Sequence, residues 1–263
     1  MNYVVESYEN YREEDRLTTN NARKIEFVTT IRAFNEIFPA KAKILDCASG
    51  TGIYSFYYAE KGYDVTAMDI TPRHIEIINH KLKNKVYNIK TFVNDATDLR
   101  MFENETFDIV LCMGPIYHLT EKSMREKCLS ECIRVLKTGG VLAVAYISRF
   151  YVFPYVAISD KKYLNEALAE TLIETGVINH DDPNCFWTDS YYSIPEEMEE
   201  DLKKFNLGIV DHLATDGFSP FLKEKIDCMS DEEFKIWCNY HYTVCRQKSI
   251  LGASNHGLII GRK

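Results

Sequence analysis

In the stretch Lys43-Ile-Leu-Asp-Cys-Ala-Ser-Gly-Thr-Gly52 an apolar run ends in an acidic residue and passes into a turn of small residues. An amphipathic stretch with helical spacing follows over residues 53–61. A strand, a glycine turn and a helix in that order leave few folds open, because together they bring backbone N–H groups and a helix N-terminus up to a ligand. A second apolar stretch, residues 63–70, carries Asp69 near its end. That carboxylate lies about 20 residues beyond the turn, the spacing of an acidic group that grips a ribose diol. The two features predict a site for an adenosine-containing cofactor.

Two kinds of cofactor compete for it. A nicotinamide or flavin dinucleotide wants G-x-G-x-x-G, whose third glycine permits close packing of helix on strand. Here the third position is Ser55, with Tyr54 beside it. Asp46, just before the turn, would repel a pyrophosphate and attract an ammonium group. An adenosine at one end and a zwitterionic amino acid at the other therefore fit better, which describes S-adenosylmethionine. The segment from Asp46 to Gly52 resembles the first motif of the class I S-adenosylmethionine-dependent methyltransferases. It departs from that family at Ala48, where glycine is usual; alanine allows close approach but resists positive φ. The resemblance implies that Asp46, Ala48, Ser49, Gly50, Thr51 and Gly52 cradle the cofactor and that Asp69, with Ile70, holds the ribose. An NAD(P)-dependent oxidoreductase and a non-catalytic S-adenosylmethionine-binding module remain the alternatives.

Apolar strands alternate with helical stretches from Lys43 onward. Strands are expected over residues 44–47, 65–70, 87–93, 107–113 and 141–147, with helices over 22–38, 53–61, 72–83 and 121–137. Thr138-Gly139-Gly140 is expected to cap the last of these. Such alternation predicts an α/β fold with a parallel sheet covered on both faces. After residue 147 it breaks into an aromatic-rich segment holding Phe150, Tyr151, Phe186, Trp187 and Tyr192, with one helix expected over 161–174. It resumes with a helix over 195–205, a strand over 207–213, a helix over 231–248 and a strand over 256–260. The whole predicts a Rossmann-like, mostly parallel seven-stranded sheet with an antiparallel last strand and a cap inserted after the fifth. The expected division is 1–40 as N-terminal cap segment and helix, 41–148 as cofactor-binding core, 149–192 as aromatic lid and 193–263 as the remaining core.

Asn94-Asp-Ala-Thr-Asp98 resembles the family's adenine-binding segment, which gives Asp95 and the Ala96 backbone to the adenine; the same residues also suit a helix cap. The fourth strand delivers Gly114-Pro-Ile-Tyr-His-Leu119 to its carboxyl end, where ligands sit in open parallel sheets. Cys112 and Met113 are thus expected to line the cofactor, and Tyr117 and His118 to face the methyl group or substrate. Methyltransferases of adenine or glutamine amino groups carry Asn/Asp-Pro-Pro-Tyr/Phe at this point; Gly114-Pro-Ile-Tyr117 lacks the side-chain acceptor at its first position, which disfavours that chemistry. A histidine titrates near neutrality, so His118 is a candidate general base or an orienting group. The broader pattern, from Glu14-Asp-Arg-Leu17 and Glu26 to Ser148-Arg149 and Gly252-Ala-Ser254, resembles a group of bacterial small-molecule methyltransferases. It implies an N-terminal segment folded over the cofactor, with Arg16 on the methionine carboxylate or, alternatively, paired with Glu13 or Glu14 at the surface.

Composition excludes other classes. The formal net charge is −8 and no basic run exists, so a phosphate-tracking groove and a nucleic-acid partner are not expected. No apolar stretch approaches the ~20 residues of a membrane span, and the first residues lack a signal-peptide pattern, so a cytoplasmic protein with a small-molecule substrate is expected. The eight cysteines form no C-x-x-C pair and read as small core hydrophobes. His180-Asp-Asp182 reads as a turn, and no metal is expected.

Overall fold

The structure, a computed structural model, describes residues 3–83 and 85–263; Met1 and Asn2, which open the expected 1–40 segment, and Asn84 lie outside the described residues. The chain begins with helices α1 (Tyr3–Asn10) and α2 (Asn21–Ile37), the second capped by Asn20, whose side chain accepts from the Arg23 N–H. It then alternates through β1 (Lys43–Asp46), α3 (Ile53–Glu60), β2 (Asp64–Asp69), α4 (Pro72–Leu82), β3 (Ile89–Val93), β4 (Phe107–Cys112), α5 (Lys122–Val135) and β5 (Leu136–Ile147). Next come α6 (Arg149–Ser159), α7 (Glu166–Glu174) and a small ribbon of β6 (Val177–Ile178) with β7 (Ser190–Tyr191). The chain closes with α8 (Pro195–Lys204), β8 (Gly208–Ala214), α9 (Lys223–Asp227), α10 (Asp231–Val244), α11 (Lys248–Leu251) and β9 (His256–Arg262).

Seven strands form one sheet in the order β3-β2-β1-β4-β5-β9-β8, and only β9 runs against the others. Alternate residues of the central strands enter opposite cores, as a two-residue side-chain period requires. Ile44, Ile109, Leu111, Val141 and Ala143 pack with Phe34 of α2 and with Tyr54 and Tyr58 of α3. Leu45, Val110, Cys112, Leu142 and Val144 pack with Leu129 of α5 and Met198 of α8. Both faces are covered, which is why these strands read as unbroken apolar runs. The chain winds outward from β1 through β2 to β3, then returns to place β4 on the other side of β1. Strand order reverses there, so a crevice opens at the carboxyl ends of β1 and β4.

Four local expectations are corrected. Thr138, Gly139 and Gly140 do not cap α5, which ends on a Leu136 N–H donated to the Cys132 carbonyl. The chain passes directly into β5, and Gly139 (φ +80°) gives its N–H to the Lys263 carbonyl instead. A Cβ on Gly140 would stand 2.9 Å from the Asp108 carbonyl, so the glycines let β5 turn in tightly against β4. The helix expected over 161–174 is split: residues 161–163 form one 3₁₀ turn, and α7 starts afresh where Asn165 accepts from the Leu168 N–H. The helix expected over 231–248 likewise ends at Val244, with α11 as a separate turn. Helix α6 was not anticipated; its apolar composition and internal Pro154 obscure the helical period.

Candidate active site

Where strand order reverses, a cavity of about 250 Å3 is walled by the turn after β1, the ends of β2 and β3, and residues 113–119 after β4. Val4 and Tyr8 of α1, with Glu13 and Arg16, close it from the N-terminal side. Asp69 is fixed by two backbone donors: the Gly50 N–H reaches Oδ2 at 2.8 Å and the Thr71 N–H reaches Oδ1 at 2.9 Å. Each oxygen keeps a lone pair for a ligand hydroxyl. The turn needs its glycines, with φ of +51° at Gly50 and +90° at Gly52, where a Cβ would meet Ile78 at 3.0 Å. Ala48 is not among the residues of positive φ, so it carries no strain; a Cβ at Gly114 would stand 3.2 Å from the Ala48 Cβ, and glycine there makes room for it.

Of the residues singled out in the sequence, Ala48, Ser49, Gly50, Asp69, Ile70, Asp95, Ala96, Met113, Tyr117, His118 and Arg16 line this cavity. Asp46, Thr51, Gly52 and Cys112 are not on its wall. Asp46 turns inward, accepting from Ser55 Oγ at 2.7 Å, and burial pushes its carboxyl up to about 7. Cys112 projects into the core beside Cys128, with 3.9 Å between sulfurs. Asp95 accepts from the Thr97 N–H at 2.8 Å while lining the cavity; residues 94–106 form turns and no helix, so it fixes a turn there and does not cap a helix as was also expected. Among the described residues Ser49 Oγ, on the wall, and Asp46 Oδ1, behind it, have no hydrogen-bond partner and are buried. Both ring nitrogens of His74 on the same wall also lack a hydrogen bond, although Nδ1 lies 3.1 Å from Asp69 Oδ1. Orphaned buried polar groups are rare, and a ligand carrying hydroxyls and amines satisfies those on the wall.

His118 is held at both nitrogens: Nε2 lies 3.0 Å from Tyr8 Oη and Nδ1 lies 3.2 Å from the Asp189 carbonyl. With Nδ1–H donating to the carbonyl, Nε2 accepts from the tyrosine. Burial pushes the imidazole down to about 4. Tyr117 Oη donates to the Met113 carbonyl at 3.1 Å, and its ring faces a second cavity as well as the first.

That second cavity, about 350 Å3, shares Tyr8, Glu13, Arg16 and Tyr117 with the first. One side is aromatic, with Tyr151, Tyr155, Phe186, Trp187 and Tyr192. The other is polar. Arg16 forks onto Glu26 at 2.9 and 3.2 Å and gives Nε to Glu13 at 3.0 Å. Burial tends to raise Glu26, and Arg16 with His256 more than offsets it, so the carboxyl sits below its ordinary value. His256 Nδ1 lies 2.8 Å from Asp216 Oδ2 and 3.4 Å from Glu26 Oε2. Residues 149–192 stand on this edge: α6, α7 and Tyr192 form one apolar cluster with Tyr117.

Tyr8, His74, Asp216 and His256 were not foreseen as site residues, and Glu26 only as part of a terminal pattern. Asp216, shortly beyond the end of β8, carries the same signal as Asp69, an acidic residue at a strand's carboxyl end. Among the described residues two groups could hold a metal ion, Cys47 with Cys112 and Cys132, and Glu26 with Asp216 and His256. Among the described residues no helix is long and apolar enough to cross a membrane.

Residues 44–140 match a family described as a methyltransferase domain. The chain is 29% identical over 199 residues to YqeM of Bacillus subtilis (strain 168), assigned to the methyltransferases, covering 69% of this chain and 78% of that protein. It is 33% identical over 130 residues to a glycine/sarcosine N-methyltransferase of Parasynechococcus marenigrum (strain WH8102), covering 49% of this chain and 45% of that one. Beyond YqeM, the chain spans about half the length of the curated relatives it matches. Its fold is similar to that of a 1,6-didemethyltoxoflavin-N1-methyltransferase of Burkholderia thailandensis, crystallised with 1,6-didemethyltoxoflavin and S-adenosylhomocysteine. That likeness has a TM-score of 0.58 at 15% identity, over 99% of this chain and 85% of that one. With the first motif, the strand order and the crevice all in agreement, residues 44–140 form a methyltransferase domain of the S-adenosylmethionine-dependent kind.

Proposed function

We propose that this protein moves a methyl group to a small-molecule acceptor seated in the second cavity, by in-line displacement, with residues 149–192 as its lid. The observation that carries the reading is the shared wall: Tyr8, Glu13, Arg16 and Tyr117 border both cavities, so ligands in the two meet there. The bound cofactor supplies an electrophilic methyl group carried on a sulfonium. The chain's own part is positioning and exclusion of water. Asp69 takes the ribose hydroxyls, Asp95 and Ala96 the adenine, and the turn from Ala48 to Gly50 the amino-acid end. Arg16 has three of its five N–H donors engaged by Glu13 and Glu26, leaving two for the methionine carboxylate. In-line transfer needs nucleophile and methyl about 3 Å apart, and a less polar wall suits a sulfonium whose charge disperses as the bond breaks. The aromatic side of the second cavity provides it.

In this reading 1–40 closes the cofactor site, 41–148 binds the cofactor, 149–192 covers the acceptor and 193–263 completes the sheet. Small molecules from the cytoplasm fit cavities of this size; a chain of net charge −8 without a basic groove does not suit nucleic acid. A nicotinamide dinucleotide is disfavoured because Ser55, in place of the third glycine, is buried and committed to Asp46. Incubation with S-adenosylmethionine and a metabolite extract is expected to yield S-adenosylhomocysteine, and Asp69→Ala to weaken cofactor binding in calorimetry by tenfold or more. Cofactor binding without any S-adenosylhomocysteine formed would mark a binding module instead.

A further inference from the structure

The polar side of the second cavity contains more than charge. Asp216 follows β8 and His256 opens β9, and the antiparallel pairing of these strands sets the two side by side. Asp216 is buried and held from two directions: Ser254 Oγ lies 2.7 Å from Oδ1, and the His256 backbone N–H donates to the same oxygen at 3.0 Å. Its other oxygen is left for His256 Nδ1 at 2.8 Å. A carboxylate only accepts, so this contact places the imidazole proton on Nδ1. The Asn255 amide nitrogen Nδ2 stands 3.1 Å from the same ring nitrogen, and with the proton on Nδ1 the amide turns over to place its oxygen there. Among the described residues Nε2 has no hydrogen-bond partner, and the side chain keeps 18% of its surface exposed along the cavity wall. A fixed carboxylate, an oriented imidazole and an open nitrogen facing a ligand space are the arrangement of a general base. His118 offers none of this, because both its nitrogens are engaged and it lines only the first cavity.

We propose that His256, positioned by Asp216, takes the proton of the methyl acceptor, and that the acceptor is therefore a flat, largely apolar molecule bearing a hydroxyl or amine. The inference rests on the second cavity being the acceptor site. The O–H or N–H bond breaks and its proton passes to Nε2. The freed electron pair forms the bond to the methyl carbon, and the methyl's former bonding pair stays on the donor sulfur. Glu26 connects His256 to the junction of the cavities, since its Oε2 contacts both the imidazole and Arg16. The charged groups facing the imidazole are Glu26 from α2, Arg16 from the N-terminal segment and Asp216 beyond β8; Glu13, Arg23 and Lys223 line the same space. Burial tends to lower the imidazole, and Glu26 with Asp216 more than offsets it, so it titrates above its ordinary value. The rate is thus expected to rise with pH through that midpoint, as the neutral ring becomes available.

Two measurements on the full chain with bound S-adenosylmethionine decide it. Ring 15N NMR should find neutral His256 protonated at Nδ1, and Asp216→Asn should lower its titration midpoint. A proton resident on Nε2 in the wild type overturns the proposal without reference to turnover. Release of S-adenosylhomocysteine is then followed with catechol, benzylamine and thiophenol. His256→Asn should cost catechol and benzylamine turnover about 10²-fold or more, leave already ionised thiophenol within a few-fold, and leave cofactor affinity unchanged in calorimetry. His256→Asn at full rate on catechol overturns the base assignment. A wild type that methylates thiophenol alone overturns the acceptor class while upholding methyl transfer. Cofactor binding with none of the three probes and no extract component methylated overturns both readings.

Discussion

Tyr8 Oη meets His118 Nε2 at 3.0 Å, joining α1 to the turn after β4 across 110 residues of sequence. The same tyrosine ring packs edge-on against His74 and Trp187, so one side chain ties together the N-terminal helix, the first cavity and the 149–192 segment. Tyr8→Phe keeps the ring and removes the hydrogen bond. It should loosen the closure, raising KM for the cofactor several-fold while costing about 1 kcal/mol of stability; steady-state kinetics with thermal melts separate the two effects.

His118 gives a pH signature of its own. Its folded value, about 4, lies below the unfolded value near 6.5, so between these the unfolded chain binds the extra proton. Stability should therefore fall as pH drops from about 6.5 to about 4, by at most about 3 kcal/mol. His118→Gln should flatten this window in denaturant titrations run at pH 7 and pH 4.5. The same variant should leave the neutral-to-alkaline limb of the rate profile in place, because His118 is neutral throughout that range.

Asp46 behaves in the opposite sense. Burial raises its folded value to about 7, against about 4 unfolded, so the folded chain holds the extra proton between those limits. Its contribution to stability is lost as pH rises through that window, by at most about 4 kcal/mol. Asp46→Asn keeps an acceptor for Ser55 Oγ and removes the buried charge, so the variant should melt at a higher temperature than wild type at pH 8. Cofactor affinity should fall less than in Asp69→Ala, since Asp46 acts from behind the turn and not on the cavity wall.

The sheet was legible in the sequence because alternation of apolar runs and helical stretches depends only on local periodicity, and the turn after β1 because its glycines and Asp69 stand at fixed spacing. Element ends misled where one residue decides them: Asn165 restarts a helix, and Gly139 lets β5 continue where a cap was expected. The second cavity was hidden for a different reason. Arg16, Glu26, Asp216 and His256 lie far apart in sequence, and only the pairing of β8 with β9 and the packing of α2 bring them together. His256 on its own reads as the first residue of a strand.

The Arg16–Glu26 pair is part-buried, with side chains 25% and 12% exposed. Removing one partner should cost more than replacing it in kind, because it leaves the other charge unpaired in a poorly solvated place. Arg16→Ala is expected to lose about 3 kcal/mol of stability along with cofactor affinity. Glu26→Gln should lose less, since the amide oxygen still accepts one of the two bonds. Arg16→Lys should resemble Arg16→Ala in affinity more than wild type, because an ammonium cannot fork onto Glu26 and also reach Glu13 and a ligand. Denaturant melts and calorimetric titration of S-adenosylhomocysteine across the three variants test that order.

Tyr117 is the partition between the two cavities, and its ring and hydroxyl have separable duties. The hydroxyl donates to the Met113 carbonyl, which steadies the turn after β4. Tyr117→Phe gives up that bond alone, so kcat should fall only a few-fold at a stability cost of about 1 kcal/mol. Tyr117→Ala removes the wall. The cavities then merge, the acceptor is no longer pressed toward the methyl end, and water gains entry. Loss of alignment of that kind costs about 10²-fold in rate without requiring loss of binding. Tyr117→Ala should therefore depress kcat severely with cofactor affinity within a few-fold of wild type. Equal kcat in the Phe and Ala variants would mean that the ring does not position the acceptor at all.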